Sequence, residues 1–192
     1  MKSILIAAAL MTVLPAAAQA ENWMMRVRAL HIAPDVDTSP TVSGLDVSNE
    51  WTPEIDFTYF VTPNIGMELI LATQRHEVTL GATSLGKLNH LPPTLLLQYH
   101  FNPTSSIKPY VGAGVNYTRF YNVDLSGLTV DKNSFGGALQ MGVDIAVTKN
   151  GYINLDVKKI WIDTTVKTTA GAKVTDLDID PVVWGIGYGF RF

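Results

Sequence analysis

Residues 180–192, DPVVWGIGYGFRF, alternate large apolar side chains with small ones. Successive side chains of a β-strand point to opposite faces, so this alternation predicts a strand. The large face consists of Val182, Trp184, Ile186, Tyr188, Phe190 and Phe192. The nearly bare face consists of Val183, Gly185, Gly187, Gly189 and Arg191. A membrane-barrel strand shows this pattern when it faces lipid outside and a crowded lumen inside, although a soluble strand packed on a core alternates in the same way.

The first twenty residues predict a cleaved signal peptide. Lys2 provides a positive start, residues 4–14 are apolar, and Ala18-Gln19-Ala20 has the small-x-small pattern of a cleavage site. The apolar run is shorter than the about 20 residues of a membrane-spanning helix. A buried N-terminal helix is the alternative. We therefore expect a signal peptide over residues 1–20 and a single barrel domain over residues 21–192.

Composition excludes several classes of protein. The sequence has no cysteine, which excludes disulfides, thiolate metal sites and cysteine nucleophiles. The formal net charge is −3 and no basic run occurs, so no nucleic-acid partner is expected. Hydrophobic residues make up 47% of the chain, yet no segment beyond the signal peptide has the length of a membrane helix. This combination favours a β-barrel, whose lipid-facing residues are spread over many alternating strands.

Alternating segments recur along the chain and predict eight strands. They cover residues 23–32, 51–61, 66–78, 91–101, 110–121, 135–148, 152–163 and 180–192. Short turns, such as the one containing Asn150-Gly151, alternate with longer polar loops at residues 34–49, 81–89, 122–133 and 168–173. Outer-membrane barrels show this asymmetry, with short periplasmic turns and long extracellular loops. The prediction is an all-β fold, an eight-stranded antiparallel transmembrane β-barrel in a bacterial outer membrane.

The polar faces of the strands favour this barrel over a soluble lipocalin-like barrel, which would turn its apolar side chains inwards. These faces combine glycine and alanine with charges of both signs. Such a mixture fits a narrow lumen, where buried charges must pair. We predict a lumen ion-pair plug formed by Arg26, Arg28, Glu54, Asp56, Glu68, Asp144, Asp156, Lys158 and Arg191. A catalytic carboxylate among these charges is the alternative.

Five segments, in the same order along the chain, resemble the OmpW family of small outer-membrane proteins, which includes an alkane-uptake branch. They are NIGMEL at 64–69, HLPPTL at 90–95, PYVGAGVNYT at 109–118, IWIDTT at 160–165 and GYGFRF at 187–192. The resemblance implies an eight-stranded barrel whose lumen is apolar in its extracellular half. It also implies uptake of small hydrophobic compounds, delivered sideways into the bilayer.

The resemblance implies a lateral gate at Pro92, with Pro93 beside it. Proline donates no ladder hydrogen bond, so two prolines in a row would open a local gap in a closed barrel. The alternative is that they merely begin a strand. An apolar path through the lumen is predicted for Leu30, Phe60, Ile70 and Leu96. The alternative for these residues is simple filling, because an eight-stranded barrel is only wide enough for side chains.

No cofactor, metal or catalytic site is predicted, and the chain is not expected to be an enzyme. The four histidines, His31, His76, His90 and His100, lack the spacing of a metal site, and no catalytic triad is identifiable from spacing. The expected partners are outer-membrane lipid, a small hydrophobic substrate and, through the C-terminal Phe192, the barrel-assembly machinery. Two other functions remain open: a structural or receptor protein that acts through its extracellular loops, and a lipid-modifying barrel enzyme.

Overall fold

The computed structural model describes residues 22–192, and the predicted signal peptide lies outside this range. The strands of this range are β1 (Trp23–Ala33), β2 (Asp37–Ser39), β3 (Leu45–Val47), β4 (Glu50–Phe60), β5 (Ile65–Ala72), β6 (Gln74–Leu80), β7 (Thr83–Leu91), β8 (Thr94–His100), β9 (Ile107–Leu125), β10 (Leu128–Val130), β11 (Asn133–Ala146), β12 (Gly151–Ile160), β13 (Asp163–Thr168), β14 (Lys173–Asp178) and β15 (Val182–Arg191). Residues 22–192 contain no helix that is long and apolar enough to cross a membrane.

Eight of these strands close into one antiparallel barrel. The order around the ring is β1, β4, β5, β8, β9, β11, β12 and β15, and β15 then pairs with β1. A closed ring leaves no strand edge unpaired, which hydrocarbon requires because it offers no hydrogen bonds to backbone groups. The predicted eight-stranded antiparallel barrel is confirmed.

The barrel turns its large apolar side chains outwards. Trp184 and Leu97 are 57% and 60% exposed, whereas Arg26 and Asp56 on the opposite faces are 0% exposed. The outer surface therefore suits hydrocarbon, and the lumen holds the charges. The soluble lipocalin-like alternative, which needs the reverse arrangement, is excluded.

The two ends of the barrel differ in the length of their connections. Short turns over residues 61–64, 101–106 and 147–150 lie at one end, together with the junction of Trp23 and Phe192. These two residues exchange backbone hydrogen bonds of 3.1 and 2.8 Å. Long connections lie at the other end. By the asymmetry of outer-membrane barrels, the short-turn end is periplasmic, called lower here, and the other is extracellular, called upper.

The long upper connections contain strands where the sequence predicted loops. Predicted loop 81–89 lies mostly within β7, and the predicted strand 66–78 is divided into β5 and β6. The other upper strands outside the barrel ring are β2, β3, β10, β13 and β14. Parts of the predicted loops 34–49, 81–89 and 122–133 are strand because the upper strands extend beyond the bilayer, whereas the predicted loop 168–173 does connect β13 to β14. β9 has 19 residues, whereas crossing a membrane takes about 9–11. Because water contacts the outer faces of these upper strands, they can carry polar residues there, and their sequence then has the composition of a loop.

The bare face of β15 provides the space for two arginine side chains. Gly187 and Gly189 stand opposite Arg28 and Arg26 of β1. A Cβ at Gly187 would lie 2.2 Å from the carbonyl oxygen of Val27 and 2.8 Å from Cγ of Arg28. Since real atoms do not approach so closely, glycine is required where the β1 arginines cross the lumen side of β15.

Candidate functional site

The lumen contains three layers along the barrel axis. The lower apolar layer consists of Met24, Phe60 and Tyr152. The charged layer consists of Arg26, Arg28, Glu54, Asp56, Glu68, Asp144, Asp156 and Lys158. The upper apolar cluster includes Leu30, Ile32, Ile70, Val78, Leu88, Leu96 and Phe120. Alternation stacks these layers, because Met24, Arg26, Arg28 and Leu30 follow one another on the lumen face of β1.

Arg26 joins four strands of the barrel. Its Nε and Nη2 lie 3.1 and 2.8 Å from the two carboxylate oxygens of Asp144, which is a bidentate contact. Its Nη1 donates to Asp56 at 3.1 Å, to Thr58 at 2.8 Å and to Glu68 at 3.4 Å. A fully buried guanidinium is stable only with such partners, because the cost of removing its charge from water is large.

Arg28 and Lys158 complete the charged layer above Arg26. Arg28 Nη1 lies 2.5 Å from Glu54 and 2.7 Å from Asp56, and its Nη2 lies 3.0 Å from Glu68. Lys158 Nζ lies 3.1 Å from Glu54 Oε1 and 2.6 Å from Asp156 Oδ1. Glu54 is thus shared by Arg28 of β1 and Lys158 of β12, and Asp56 by Arg26 and Arg28, so the layer spans the lumen.

Neutral polar residues that the sequence did not single out complete this network. Gln98 and Gln140 each donate to Glu68 Oε2 at 2.8 Å, and the Tyr110 hydroxyl donates to Asp156 at 2.8 Å. All are buried. The sequence pattern does indicate where these glutamines lie, because the alternation places Gln98 and Gln140 on lumen faces. Their partners required the register of strands that are distant in sequence.

Three of the four predicted path residues lie together directly above the charged layer. Leu30, Ile70 and Leu96 are 1–4% exposed and belong to the upper apolar cluster. Leu30 follows Arg28 by two residues, and Ile70 likewise follows Glu68 on its strand. Along each of these two strands, the lumen therefore changes from charged to apolar within two residues.

The structure places Phe60 and Arg191 apart from the groups with which the sequence associated them. Phe60 packs in the lower apolar layer, below the charges, because it ends β4 at the periplasmic end. Arg191 ends β15 at the same level, and its guanidinium lies 4.3 Å from the centroid of the Phe60 ring. Alternation predicts which face of a strand carries a residue, but not how far along the barrel axis the residue lies. Phe60 lies on the lumen face below the charged layer, so it does not extend the apolar path above that layer.

The line along which two neighbouring barrel strands pair is here called a seam. The seam between β5 and β8 is interrupted beside Pro92. Ile70 pairs with Thr94 below the interruption, and Gln74 pairs with His90 above it. The register is unchanged from one side to the other, which sets Ala72 opposite Pro92. Within the described chain, no strand pairing joins residues 71–73 to residues 91–93. The interruption is therefore a local loss of hydrogen bonds rather than a bulge.

Each proline affects a different seam. The backbone bond from His100 N to Asn64 O, at 2.7 Å, shows that even-numbered residues of β8 bond towards β5. Pro92 continues this series and has no N–H for Ala72, which explains the open seam. Pro93 faces the other neighbour, β9, where its carbonyl still accepts a bond from Tyr117 N at 3.0 Å. The seam with β9 therefore stays joined.

The lumen side of the interruption has its own polar support. Asn116, which is fully buried, donates from Nδ2 to the carbonyl of Pro92 at 3.2 Å and to the Thr94 hydroxyl at 2.8 Å. Thr94 also donates to the Pro92 carbonyl at 3.0 Å. The carbonyl that a continuous seam would pair with Ala72 is thus satisfied elsewhere. This arrangement stabilises the interruption, and the sequence prediction did not include Asn116.

His76 and His90 lie buried in the upper lumen, at 1% and 2% exposure. Removal from water favours the neutral form of an imidazole ring. Within residues 22–192, no group of three or more His, Cys, Asp or Glu side chains is arranged to hold a metal ion.

The closed ring, the apolar outer surface and the charged lumen define an outer-membrane β-barrel. The chain belongs to the OmpW family, whose pattern matches residues 5–192. It is 40% identical to outer-membrane protein y4mB of Sinorhizobium fredii, over 92% of this chain and 82% of that protein. It is 36% identical to outer membrane protein W of Escherichia coli K12, over the full length of both chains.

Three further proteins resemble this chain. The dibenzothiophene metabolism operon protein PahQ of Pseudomonas aeruginosa is 26% identical, over 93% of this chain and 92% of that protein. Among solved structures, outer membrane protein OprG of Pseudomonas aeruginosa superposes with a TM-score of 0.78 and 28% identity, covering 91% of this chain and 99% of that one. Outer membrane protein AlkL in DMPC bilayers gives a TM-score of 0.65 and 25% identity, covering 94% and 95%.

Proposed function

We propose that this barrel takes up small hydrophobic molecules at the outer surface and releases them sideways into the bilayer at the Pro92 interruption. A molecule enters among the side chains of the upper apolar cluster and leaves between β5 and β8. The observation that carries this proposal is the interruption itself, where residues 71–73 and 91–93 are not paired with each other although the register on both sides is the same.

The charged layer supports lateral release over straight passage. Below the upper cluster, an apolar molecule would meet Arg26, Arg28 and their carboxylate partners, which are fully buried and mutually paired. Displacing these ion pairs costs several kcal/mol, and an apolar molecule offers no replacement contacts. The same layer keeps polar solutes from leaking through the barrel. The lumen carboxylates thus serve as ion-pair partners rather than catalytic groups, and the protein acts without chemistry.

The lateral route connects two apolar surroundings. Pro92 is buried on the lumen side, and the register sets it opposite Ala72, two residues above Ile70 on the neighbouring strand. On the outer side of the same seam, Leu91 is 39% exposed to the space that lipid occupies. A hydrophobic molecule that moves from lumen to lipid here leaves one apolar environment and enters another.

The chemistry suggested by one relative agrees with this class of substrate. PahQ is named for an operon of dibenzothiophene metabolism, and it resembles this chain over most of its length. Dibenzothiophene is a flat apolar aromatic compound. We extend the class of small hydrophobic molecules, and not that compound, to this barrel.

Assembly of the barrel is proposed to depend on Phe192. This residue ends the aromatic face of β15, stacks on Phe190 with ring centroids 6.3 Å apart, and pairs with Trp23 to close the ring. We propose that the barrel-assembly machinery recognises this terminal strand before closure.

Deleting the gene should slow the uptake of a small apolar compound such as toluene or octane into intact cells, and a plasmid copy should restore it. Uptake is measured with radiolabelled compound at low concentration, where passage through the outer membrane limits the rate. Uptake of a small sugar through the general porins is the control and should not change. Equal toluene and octane uptake with and without the protein would refute the proposal.

A further inference from the structure

Two histidine rings lie in contact within the upper apolar cluster. His76 of β6 and His90 of β7 are 1% and 2% exposed, and their ring centroids are 5.0 Å apart at an angle of 69°. The ring of Phe120 lies 5.8 Å from that of His90. His76 and His90 thus form a polar pair, here called the histidine pair, beside the buried apolar residues of this cluster.

Hydrogen bonds fix which nitrogen of each ring carries the hydrogen. His76 Nδ1 lies 2.7 Å from the backbone carbonyl of Ser48, which only accepts, so Nδ1 is the donor. His90 Nε2 contacts the side-chain oxygen of Gln74, so Nε2 donates there. A neutral imidazole has one N–H, which leaves a lone pair on His76 Nε2 and another on His90 Nδ1.

Neither of these lone pairs has a partner. His76 Nε2 and His90 Nδ1 are buried and make no hydrogen bond to any residue in the described range 22–192. A buried acceptor without a donor is unfavourable, and native structures usually satisfy such groups with a ligand or water.

The histidine pair lies next to the proposed exit. His90 precedes Pro92 by two residues on the same lumen-facing side of the chain. Gln74, its partner, marks the upper end of the interrupted seam. A molecule that leaves the upper apolar cluster at Pro92 would therefore pass close to the histidine pair.

We propose that the histidine pair accepts hydrogen bonds from the transported molecule, and that the barrel therefore prefers apolar molecules that carry a hydroxyl group, such as alcohols and phenols, to hydrocarbons of the same shape. This inference rests on the proposed uptake function and specifies its substrate class. A hydrocarbon leaves both lone pairs unpaired, whereas a hydroxyl donates to one of them.

The test compares p-cresol with p-xylene, which differ by a hydroxyl in place of a methyl group. Affinities for the full chain in lipid nanodiscs are measured and corrected for the partition of each compound into lipid. We expect p-cresol to bind about tenfold more tightly, the factor that one recovered hydrogen bond gives. The ¹⁵N resonances of His76 and His90 in the unmodified chain should shift with p-cresol and much less with p-xylene.

The double variant His76→Phe/His90→Phe should bind both compounds equally, while His31→Phe, on the lipid-facing side, should keep the tenfold preference. Equal binding of both compounds by the unmodified chain would overturn the inference and leave the uptake function intact. Equal ¹⁵N shifts with both compounds would also overturn it. If neither compound binds, the proposed function fails as well.

Discussion

Replacing Arg26 with methionine should destabilise the barrel by about 3–5 kcal/mol, the usual cost of removing one partner from a buried ion pair. Arg26 is fully buried and contacts Asp144, Asp56 and Glu68. The variant would leave these carboxylates in the lumen with too few cations. Methionine matches the length of the arginine stem, so lost packing contributes little. Urea titration in lipid vesicles measures the effect, with the folded fraction read from the mobility of unheated samples on a gel.

The matched control is Lys173→Met, which removes the cation of an exposed pair. Lys173 lies 2.6 Å from Asp176, but both side chains are about half exposed, at 56% and 48%. Water screens such pairs, so stability should hardly change. The double variant Arg26→Met/Asp144→Asn should recover part of the loss, because it also removes a carboxylate that had become unpaired. If Arg26→Met were as stable as Lys173→Met, the charged layer would not be held by its ion pairs.

Replacing Pro92 with alanine should slow the uptake of a small apolar compound by roughly five- to thirtyfold. Alanine supplies the N–H that the seam lacks, directly opposite Ala72. One or two restored hydrogen bonds, each worth about 1 kcal/mol net, would shift the seam towards closure by that factor. Uptake into proteoliposomes that contain a trapped solvatochromic dye measures the rate.

Pro93→Ala is the control for this variant because the two prolines are neighbours that face different seams. An N–H at residue 93 would point to Tyr117 of β9, across a seam that is already joined by a 3.0 Å bond. Uptake should therefore stay close to that of the unmodified barrel. Equal uptake rates for Pro92→Ala and Pro93→Ala would show that the interruption at Pro92 is not needed for transport.

Strand alternation was sufficient to predict most of the barrel strands and to group the charged residues on one face of each strand. Arg26 and Arg28 alternate with Met25 and Val27, so a single strand already separates charges from apolar residues. The glycines of β15 indicated a crowded interior, and the structure shows that these same arginines occupy the space. What alternation left open was which face looks inwards, because a strand pattern is the same for a soluble barrel.

The position of a side chain along the barrel axis and its contact partners could not be predicted from the sequence. Phe60 has the same inward face as Leu30, but it lies on the other side of the charged layer, and only the pairing of β4 with its neighbours fixes this. The roles of Asn116 and of the His76–His90 contact depend on strands that are far apart in sequence. The upper strands were missed for a different reason, because a hairpin in water has a polar face and reads as a loop.

The most direct test of lateral release is a reversible lock on the seam. The chain has no cysteine, so Leu71→Cys/Pro93→Cys introduces a single disulfide across the interruption while keeping Pro92. Leu69→Cys/Leu95→Cys places an equivalent disulfide across the intact part of the same seam, where these residues are paired. Uptake of toluene by proteoliposomes is compared before and after reduction. Lateral release predicts that the first disulfide blocks uptake until it is reduced and that the second has no effect; unchanged uptake through the oxidised first variant would contradict it.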